Sequence, residues 1–574
     1  MLAKLNKITS WQAALIIAVI GFAVFFTGLT NPFQGDDISQ IVNNVPAHSI
    51  THIKLFFEGG KFYNGQGLAP LSSGNFRPLM TTAFSLIYTL FGAHPIAFHL
   101  VQLILGIASA TILYLVFRYS FKPVLALFLS LIFLLHPIDS QVVFAIPSME
   151  DSLFFFFGIL AFWLVIRFKS TRSLIPVAIC LFLSLLAKET AILFVAMSLL
   201  FLFWFDRKRL YKFVGVMSLL LVLYIALRVN AIGWISNSNN VPIDSLGFAG
   251  RLLTAPSIAL FYITKFIFPV KLASANYWVY PTFSFRHVLL PLLIDLAVLA
   301  LLIYAAMMIC KKSTKTMFFT FLFYAIWCAL GLLLTLQIIP LDMTASETWF
   351  YFPMVGVLGM LGVVLTVFRL RIQSIWILII AAMVIALLGI RTAVRGVDWR
   401  SQCALASHDI ATSRENFIAE ANLSTCYYQQ HDFGEAKVHA ERSIRIFPGA
   451  NGYNSLGQAL AALGDYPGAH NAFTNGIKYQ SGYIVLYDNL AALTGGYGNS
   501  SQNEQFLQKS LKLFPGDSNL WMYLAIQEYR NNQVADAKIA ITRAYNLNQS
   551  SGTIAAIYKV IMSNLPLNIS FSTY

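Results

Sequence analysis

The chain has 574 residues, 57% hydrophobic and 11% charged, with a mean hydropathy of +0.68 and a formal net charge of +14. That balance excludes an ordinary soluble globular protein. The excess of Lys and Arg does not signal nucleic-acid binding, because much of it lies in short clusters between apolar runs, where it reports membrane topology. Five cysteines (Cys180, Cys310, Cys328, Cys403 and Cys426) have no CxxC or metal-ligand spacing, so neither a disulfide framework nor a zinc site is expected.

Apolar runs long enough to cross a hydrocarbon core of about 30 Å recur from Trp11 to about Ile390 and then stop. The first, Trp11 to Thr30, follows a short basic start with Lys4 and Lys7 and lacks a small-x-small cleavage site, so it reads as an uncleaved first span. Further spans are expected at Pro95 to Phe117, Pro123 to His136, Met149 to Ile166, Ser173 to Ala187, and Thr190 to Phe205. The series continues with Phe213 to Asn230, His287 to Cys310, Thr316 to Ile338, Trp349 to Phe368 and Gln373 to Ile390, about eleven in all. Basic clusters at Lys4/Lys7, Arg118/Lys122, Arg167 to Arg172, Arg207 to Lys212, Lys311 to Lys315 and Arg369/Arg371 then all fall on the cytoplasmic side. The N-terminus is inside and the C-terminus outside. Leu252 to Phe268 breaks this count and is expected to be re-entrant or interfacial.

The outward loop from Asn31 to about Leu79 is long and polar, with Asp36, Asp37, His48, His52, Lys54, Glu58, Lys61 and Arg77. A loop of that size beside a membrane is a candidate for function. The Asp36-Asp37 pair can serve as a general base, hold a divalent cation, or simply cap a helix before Ile38. Other ionisable groups stand at the outward ends of short spans: His136-Pro137, Glu150-Asp151, Lys188-Glu189, and Glu347 followed by Tyr351. At membrane depth such groups face a cavity, since lipid exposure is costly. Arg77, Lys188, Arg228, Lys265 and Lys271 are the cations available to hold a phosphate or diphosphate, or to sit at headgroup level.

Past Arg414 the pattern becomes amphipathic helices repeating about every 33 or 34 residues. Leu423, Leu456, Leu490 and Leu524 are in register, as are Ala436, Ala469 and Ala537, and Asp432-Phe433 matches Gly464-Asp465-Tyr466. This is the tetratricopeptide (TPR) period, and roughly four units make a short solenoid with a concave groove. The domains read as 1–392 for the membrane part, 393–415 for a linker and 416–574 for the solenoid.

In the order of its motifs the chain resembles the transmembrane and TPR-containing O-mannosyltransferases, within the GT-C class of glycosyltransferases that use lipid-phosphate sugars. The likeness runs through Gly35-Asp36-Asp37, Phe76-Arg77-Pro78-Leu79, Phe98-His99-Leu100-Val101, His136-Pro137-Ile138 and Ala187-Lys188-Glu189-Thr190. It continues in Tyr262, Lys265, Phe268-Pro269 and Leu272, Glu347 with Tyr351-Phe352-Pro353, Arg391 with Trp399, and the repeats. The resemblance implies an all-α fold, a GT-C membrane domain followed by the TPR solenoid. It implies that Asp36 or Asp37 deprotonates an acceptor hydroxyl while a sugar leaves a polyprenyl phosphate with inversion. By the same resemblance Arg77, Lys188 and Lys265 are phosphate contacts, Asp151 and Glu347 are sugar or acceptor contacts, and His136, Glu189 and Tyr351 complete the substrate-binding set. The implied partners are a lipid-linked sugar donor and a protein acceptor recruited by the TPR groove. A cofactor is not demanded, and a divalent cation at Asp36 and Asp37 stays open. The alternatives are transfer to a lipid or cell-envelope glycan, and a non-catalytic membrane scaffold. Compact loops and a short solenoid point to a prokaryotic plasma membrane, with the endoplasmic reticulum as the eukaryotic counterpart. The chain departs from the family pattern at Gln141, at Ser148-Met149-Glu150, at Thr348, and at Gln102 and Gly106.

Overall fold

The computed structural model describes residues 8–60, 62–63, 71–72, 74–234, 241–368, 375–497 and 500–567. Lys4, Lys7, Lys61, Arg369 and Arg371 lie outside these. Among the described residues the regular structure is helical, apart from a two-residue antiparallel pairing of Phe62–Tyr63 with Leu71–Ser72 and a bridge between Asn276 and Ala345. Among the described residues, eight helices are long and apolar enough to cross a membrane, or nine if a bent pair counts as one span. The chain is an integral membrane protein.

The eight coincide with eight of the eleven spans expected from hydropathy. The ninth, Pro123–Leu135 with Pro137–Phe144, is bent by 47°. Pro137 has no N–H to continue the helix, and His136 before it is extended (φ −70°, ψ 124°). The remaining two expected spans form helices of only 14 residues, Leu174–Ala187 and Ile192–Phe205. At 1.5 Å per residue each reaches about 21 Å, short of the core. Their facing ends meet at Lys188-Glu189. The helix Phe248–Ile267 carries Pro256 inside it and is not among the candidate spans.

Helix Lys315–Thr335 packs closely along Tyr351–Val367, and Gly356 is the reason: a Cβ there would stand 2.5 Å from the backbone of Cys328 and Tyr324. Small residues at such crossings let membrane helices approach where lipid offers no hydrophobic drive. The tight hairpin sets Glu347 at its turn. Behind it an aromatic core of Phe133, Phe155, Phe162, Phe194, Trp327 and Phe352 locks the short helices to the long ones, with Phe194 and Phe352 edge to face at 5.0 Å.

From Phe417 the chain forms helix pairs of TPR type: Phe417–Gln429 with Phe433–Ile446, Ala450–Ala462 with Tyr466–Tyr479, Ile484–Tyr497 with Ser500–Leu513, and Ser518–Arg530 with Val534–Leu547. A last helix, Gly552–Met562, covers the end. Ala436, Ala469 and Ala537 are fully buried at the crossings, as their register demands. The turn inside each described pair needs a left-handed residue, supplied by Gly464 (φ 82°), His431 (φ 62°) and Asn532 (φ 65°). Asp432 and Asp465 then cap the following helix by accepting from the N–H three residues on, at 3.1 and 2.9 Å.

One expectation is overturned. Cys403 and Cys426 form a disulfide, with Cα atoms 5.7 Å apart, between the linker helix Gln402–Thr412 and the first TPR helix. Their spacing of 23 residues follows no motif, so only the folding of the two helices against each other reveals the pair.

Candidate active site

The acidic loop is built by one turn. Gly35 takes φ 55°, a conformation that favours glycine, and so lets Gln34 N–H donate to Asp37 Oδ2 at 2.9 Å. Phe33 packs edge-on against Phe98 at 5.4 Å, and Gln34 Nε2 donates to the carbonyl of Trp399 at 2.8 Å. The loop is thereby suspended between the second span and the end of the last one. Asp36 is exposed, whereas Asp37 is buried with 2% exposure, and its Oδ1 has no hydrogen-bond partner among the described residues. Burial pushes the Asp37 carboxyl up to about 8, opposed by the Gln34 N–H and reinforced by the charge of Asp36. The structure separates two residues that the sequence left equivalent.

A second group lies where the short helices end. Arg77, residue before Pro78 at the start of its helix, places Nε 3.2 Å from Glu150 and pairs through Nη1 with Glu189. Lys188 Nζ lies 3.2 Å from Glu150 and 2.7 Å from Asp151. Two cations here face three carboxylates, so the network has no positive charge to spare. Arg77 and Lys188 are both paired with protein carboxylates. Glu150, one of the departures from the family pattern, is what binds the two cations together.

The third group surrounds the C-terminal end of the last membrane helix, Ile375–Asp398. Arg395 is fully buried, with Nη1 donating to Asp398 at 3.1 Å and to His408 Nδ1 at 3.0 Å, and Nη2 lying 3.9 Å from Glu347 and 4.0 Å from Asp409. Glu347 Oε1 accepts from the Ala273 N–H at 2.7 Å. Asp409 accepts from the Ser274 N–H at 3.1 Å and from its hydroxyl. Asn416 adds a bond from Nδ2 to the Ala275 carbonyl at 3.1 Å, so the membrane part and the solenoid are joined around Arg395. The sequence reading missed Arg395, His408 and Asp409. Their only advance signal was the Arg391 to Trp399 run, which gave no partners.

Beside that hub stand Lys265, Lys271 and Arg391. Lys265 donates to the Lys271 carbonyl and Arg391 Nη2 to the Val270 carbonyl at 2.8 Å, and Lys265 lies within electrostatic reach of Glu347. His136 spends both ring nitrogens on the backbone: Nδ1 accepts from Ile138 N–H at 3.3 Å, which leaves Nε2 to donate to the Phe266 carbonyl at 2.9 Å. It also stacks on the Phe266 ring, so it fastens the helix carrying Lys265 to the bent span. Tyr351 is buried between Phe133 and Phe155, with centroids 4.8 and 4.4 Å away. Arg228 donates to the Gly233 carbonyl at 3.3 Å. Two other departures have a local reason. Gln102 Nε2 donates to the carbonyls of Val142 and Ala145, and a Cβ at Gly106 would come 3.2 Å from Val143, so both positions hold the bent segment in place. No group of three His, Cys, Asp or Glu side chains arranged to hold a metal ion occurs among the described residues.

The family described as dolichyl-phosphate-mannose-protein mannosyltransferase matches residues 77–234. The chain is 28% identical over 187 residues to protein O-mannosyl-transferase TMTC3 of Homo sapiens, covering 32% of this chain and 20% of that one. It is 30% identical over 196 residues to protein O-mannosyl-transferase TMTC1 of Mus musculus, covering 31% and 21%. A further likeness, 27% over 97 residues, is to a heat shock protein sti1 homolog of Schizosaccharomyces pombe, covering 17% and 16%. The matched region spans about a fifth of the length of the mannosyltransferase relatives. Among solved structures, a thermophilic TPR protein of Thermus thermophilus aligns with 15% identity and a TM-score of 0.26, covering 30% of this chain and 93% of that one. The resemblance read from the motifs stands: the chain is similar to the TPR-containing protein O-mannosyltransferases.

Proposed function

We propose that the protein is a membrane glycosyltransferase that moves a sugar, mannose-like or another hexose, from a polyprenyl-phosphate donor to a protein Ser or Thr hydroxyl outside the cytoplasm. The observation that carries this reading is Asp37, a buried carboxyl raised to about 8 with one oxygen unpartnered, suspended beside the outward end of the last membrane helix. Such a group is a far stronger base than an ordinary aspartate, as abstraction of a hydroxyl proton requires. The acceptor oxygen attacks the anomeric carbon, its proton passes to Asp37, the carbon–oxygen bond to phosphate breaks, and configuration inverts.

The departing polyprenyl phosphate then needs positive charge. Lys265, with Lys271 and Arg391, supplies it, since the cations Arg77 and Lys188 are consumed by Glu150, Asp151 and Glu189. Arg77 and Lys188 hold Glu150, Asp151 and Glu189 together, with Asp151 and Glu347 at the sugar or acceptor. Asp36, at the surface, is the side on which a divalent cation would be met. The disulfide supports an extracytoplasmic solenoid, because such bonds persist in oxidising compartments. The positive clusters agree with that orientation, and a prokaryotic plasma membrane remains the proposed location. The solenoid groove, joined to the hub through Asp409 and Asn416, recruits the acceptor.

Transfer of radiolabelled sugar from a panel of polyprenyl-phosphate donors to membrane and secreted protein tests this. Label should appear with wild type and Asp36→Asn and vanish with Asp37→Asn. Label of equal strength with Asp37→Asn removes the base from that residue, and label in a lipid or glycan fraction reassigns the acceptor.

A further inference from the structure

Asp139 plays no part in the chemistry described so far, yet it occupies an expensive position. It is 3% exposed, and neither carboxylate oxygen has a hydrogen-bond partner among the described residues. The turn Pro137–Asp139 packs on the turn Glu347–Phe350 and on the last membrane helix. Asp139 is within electrostatic reach of Glu347, Asp151, Tyr262 and Tyr351. Across from it, Glu347 is fully buried and its Oε2 likewise lacks a hydrogen bond. A buried carboxylate without donors is among the costliest groups a fold can keep, and in native proteins it marks a place where donors arrive from elsewhere.

The missing donors have a definable chemistry. An ionised phosphate or carboxylate carries no O–H to donate, and the nearby cations Lys188 and Arg395 already pair with Asp151 and Glu347. What remains is a neutral molecule with several O–H donors on a ring whose C–H face can lie on apolar surface. The apolar part is at hand in the stacked pairs beside the turn, Tyr262 on Phe350 at 5.4 Å and His136 on Phe266 at 5.1 Å. We infer that Asp139 accepts hydrogen bonds from hydroxyl groups of the donor sugar, with Glu347 Oε2 as the facing acceptor, and so selects sugar-bearing polyprenyl phosphate over the bare lipid. This rests on the donor reading above. It adds a specificity residue that the motifs do not include.

The full chain in lipid nanodiscs is titrated with polyprenyl phosphate and with its mannosyl, glucosyl, galactosyl and N-acetylglucosaminyl esters. Wild type should bind at least one ester about tenfold or more tighter than the bare lipid, as hydrogen bonds to a charged acceptor allow. Asp139→Ala should lose that preference while binding the bare lipid as wild type does. At alkaline pH, ligand-free Asp139→Asn should melt at a higher temperature than wild type, because the amide escapes the cost of ionising a buried carboxyl. A preference that survives in Asp139→Ala overturns the inference, as does a lower melting temperature for Asp139→Asn. Equal affinity of wild type for the bare lipid and every ester overturns it while leaving the phosphate site standing. Binding of neither lipid class overturns the donor reading and this inference together.

Discussion

A carboxyl held at about 8 is mostly protonated at neutral pH, so Asp37 would be a strong base present in a minority form. The rate of sugar transfer at low donor concentration should therefore climb with pH and level off above about 8. Asp37→Asn should lose roughly a hundredfold or more of it, as removal of a general base does. Stability runs the other way. The folded carboxyl holds its proton above the ordinary value of 3.8, so its contribution to stability is complete below 3.8 and is lost as pH rises through about 8. Thermal unfolding across that window should show wild type losing stability relative to Asp37→Asn. At the hub, Arg395→Met would leave Glu347 and Asp409 buried without their cation and should destabilise the fold by about 3–5 kcal/mol. Adding Glu347→Gln should restore part of that. Asp37, Lys188 and Glu347 were legible because each sits in a short phrase at the end of an apolar run. Arg395 was not, since its meaning comes from Glu347, which lies far back in the chain, and from a helix beyond the membrane. The split between Asp36 and Asp37 is also a matter of burial, which adjacent identical residues cannot advertise.

At the scale of elements, hydropathy located the helices better than it measured them. It counts apolar side chains without knowing where the backbone turns, so Ser173 to Ala187 and Thr190 to Phe205 looked like crossings although each forms a 14-residue helix. The shortfall brings Lys188 and Glu189 to the same level as Arg77, Glu150 and Asp151. The TPR turns were readable from Asp432-Phe433 and Gly464-Asp465-Tyr466, and they also carry small defects. His431 at φ 62° bears a strain that glycine does not, so His431→Gly should stabilise the solenoid by about 1 kcal/mol. Gln533 stands where Asp432 and Asp465 cap their helices but makes no side-chain cap bond. Gln533→Asp should contribute about 1 kcal/mol, read in both cases from the solenoid's thermal transition.

At the scale of the whole molecule, the membrane class and the repeat period were written in composition and register, while the joint between them was not. Two cysteines 23 residues apart with no flanking motif give no sign that they meet. Closing a loop of that length is worth about 3 kcal/mol in the chain-entropy account. Cys403→Ser with Cys426→Ser should lower the melting temperature of the solenoid, and a reductant should do the same to wild type but not to the double variant. The bond from Gln34 to Trp399 has a consequence in time as well as in space. The ribosome makes the acidic loop well before its anchor Trp399, which follows the last membrane helix. Until that helix arrives the loop is held on one side alone, by Phe33 on Phe98. An incomplete chain paused in the membrane therefore carries the acidic pair without its full arrangement, which is completed at once, when the last span closes on the first.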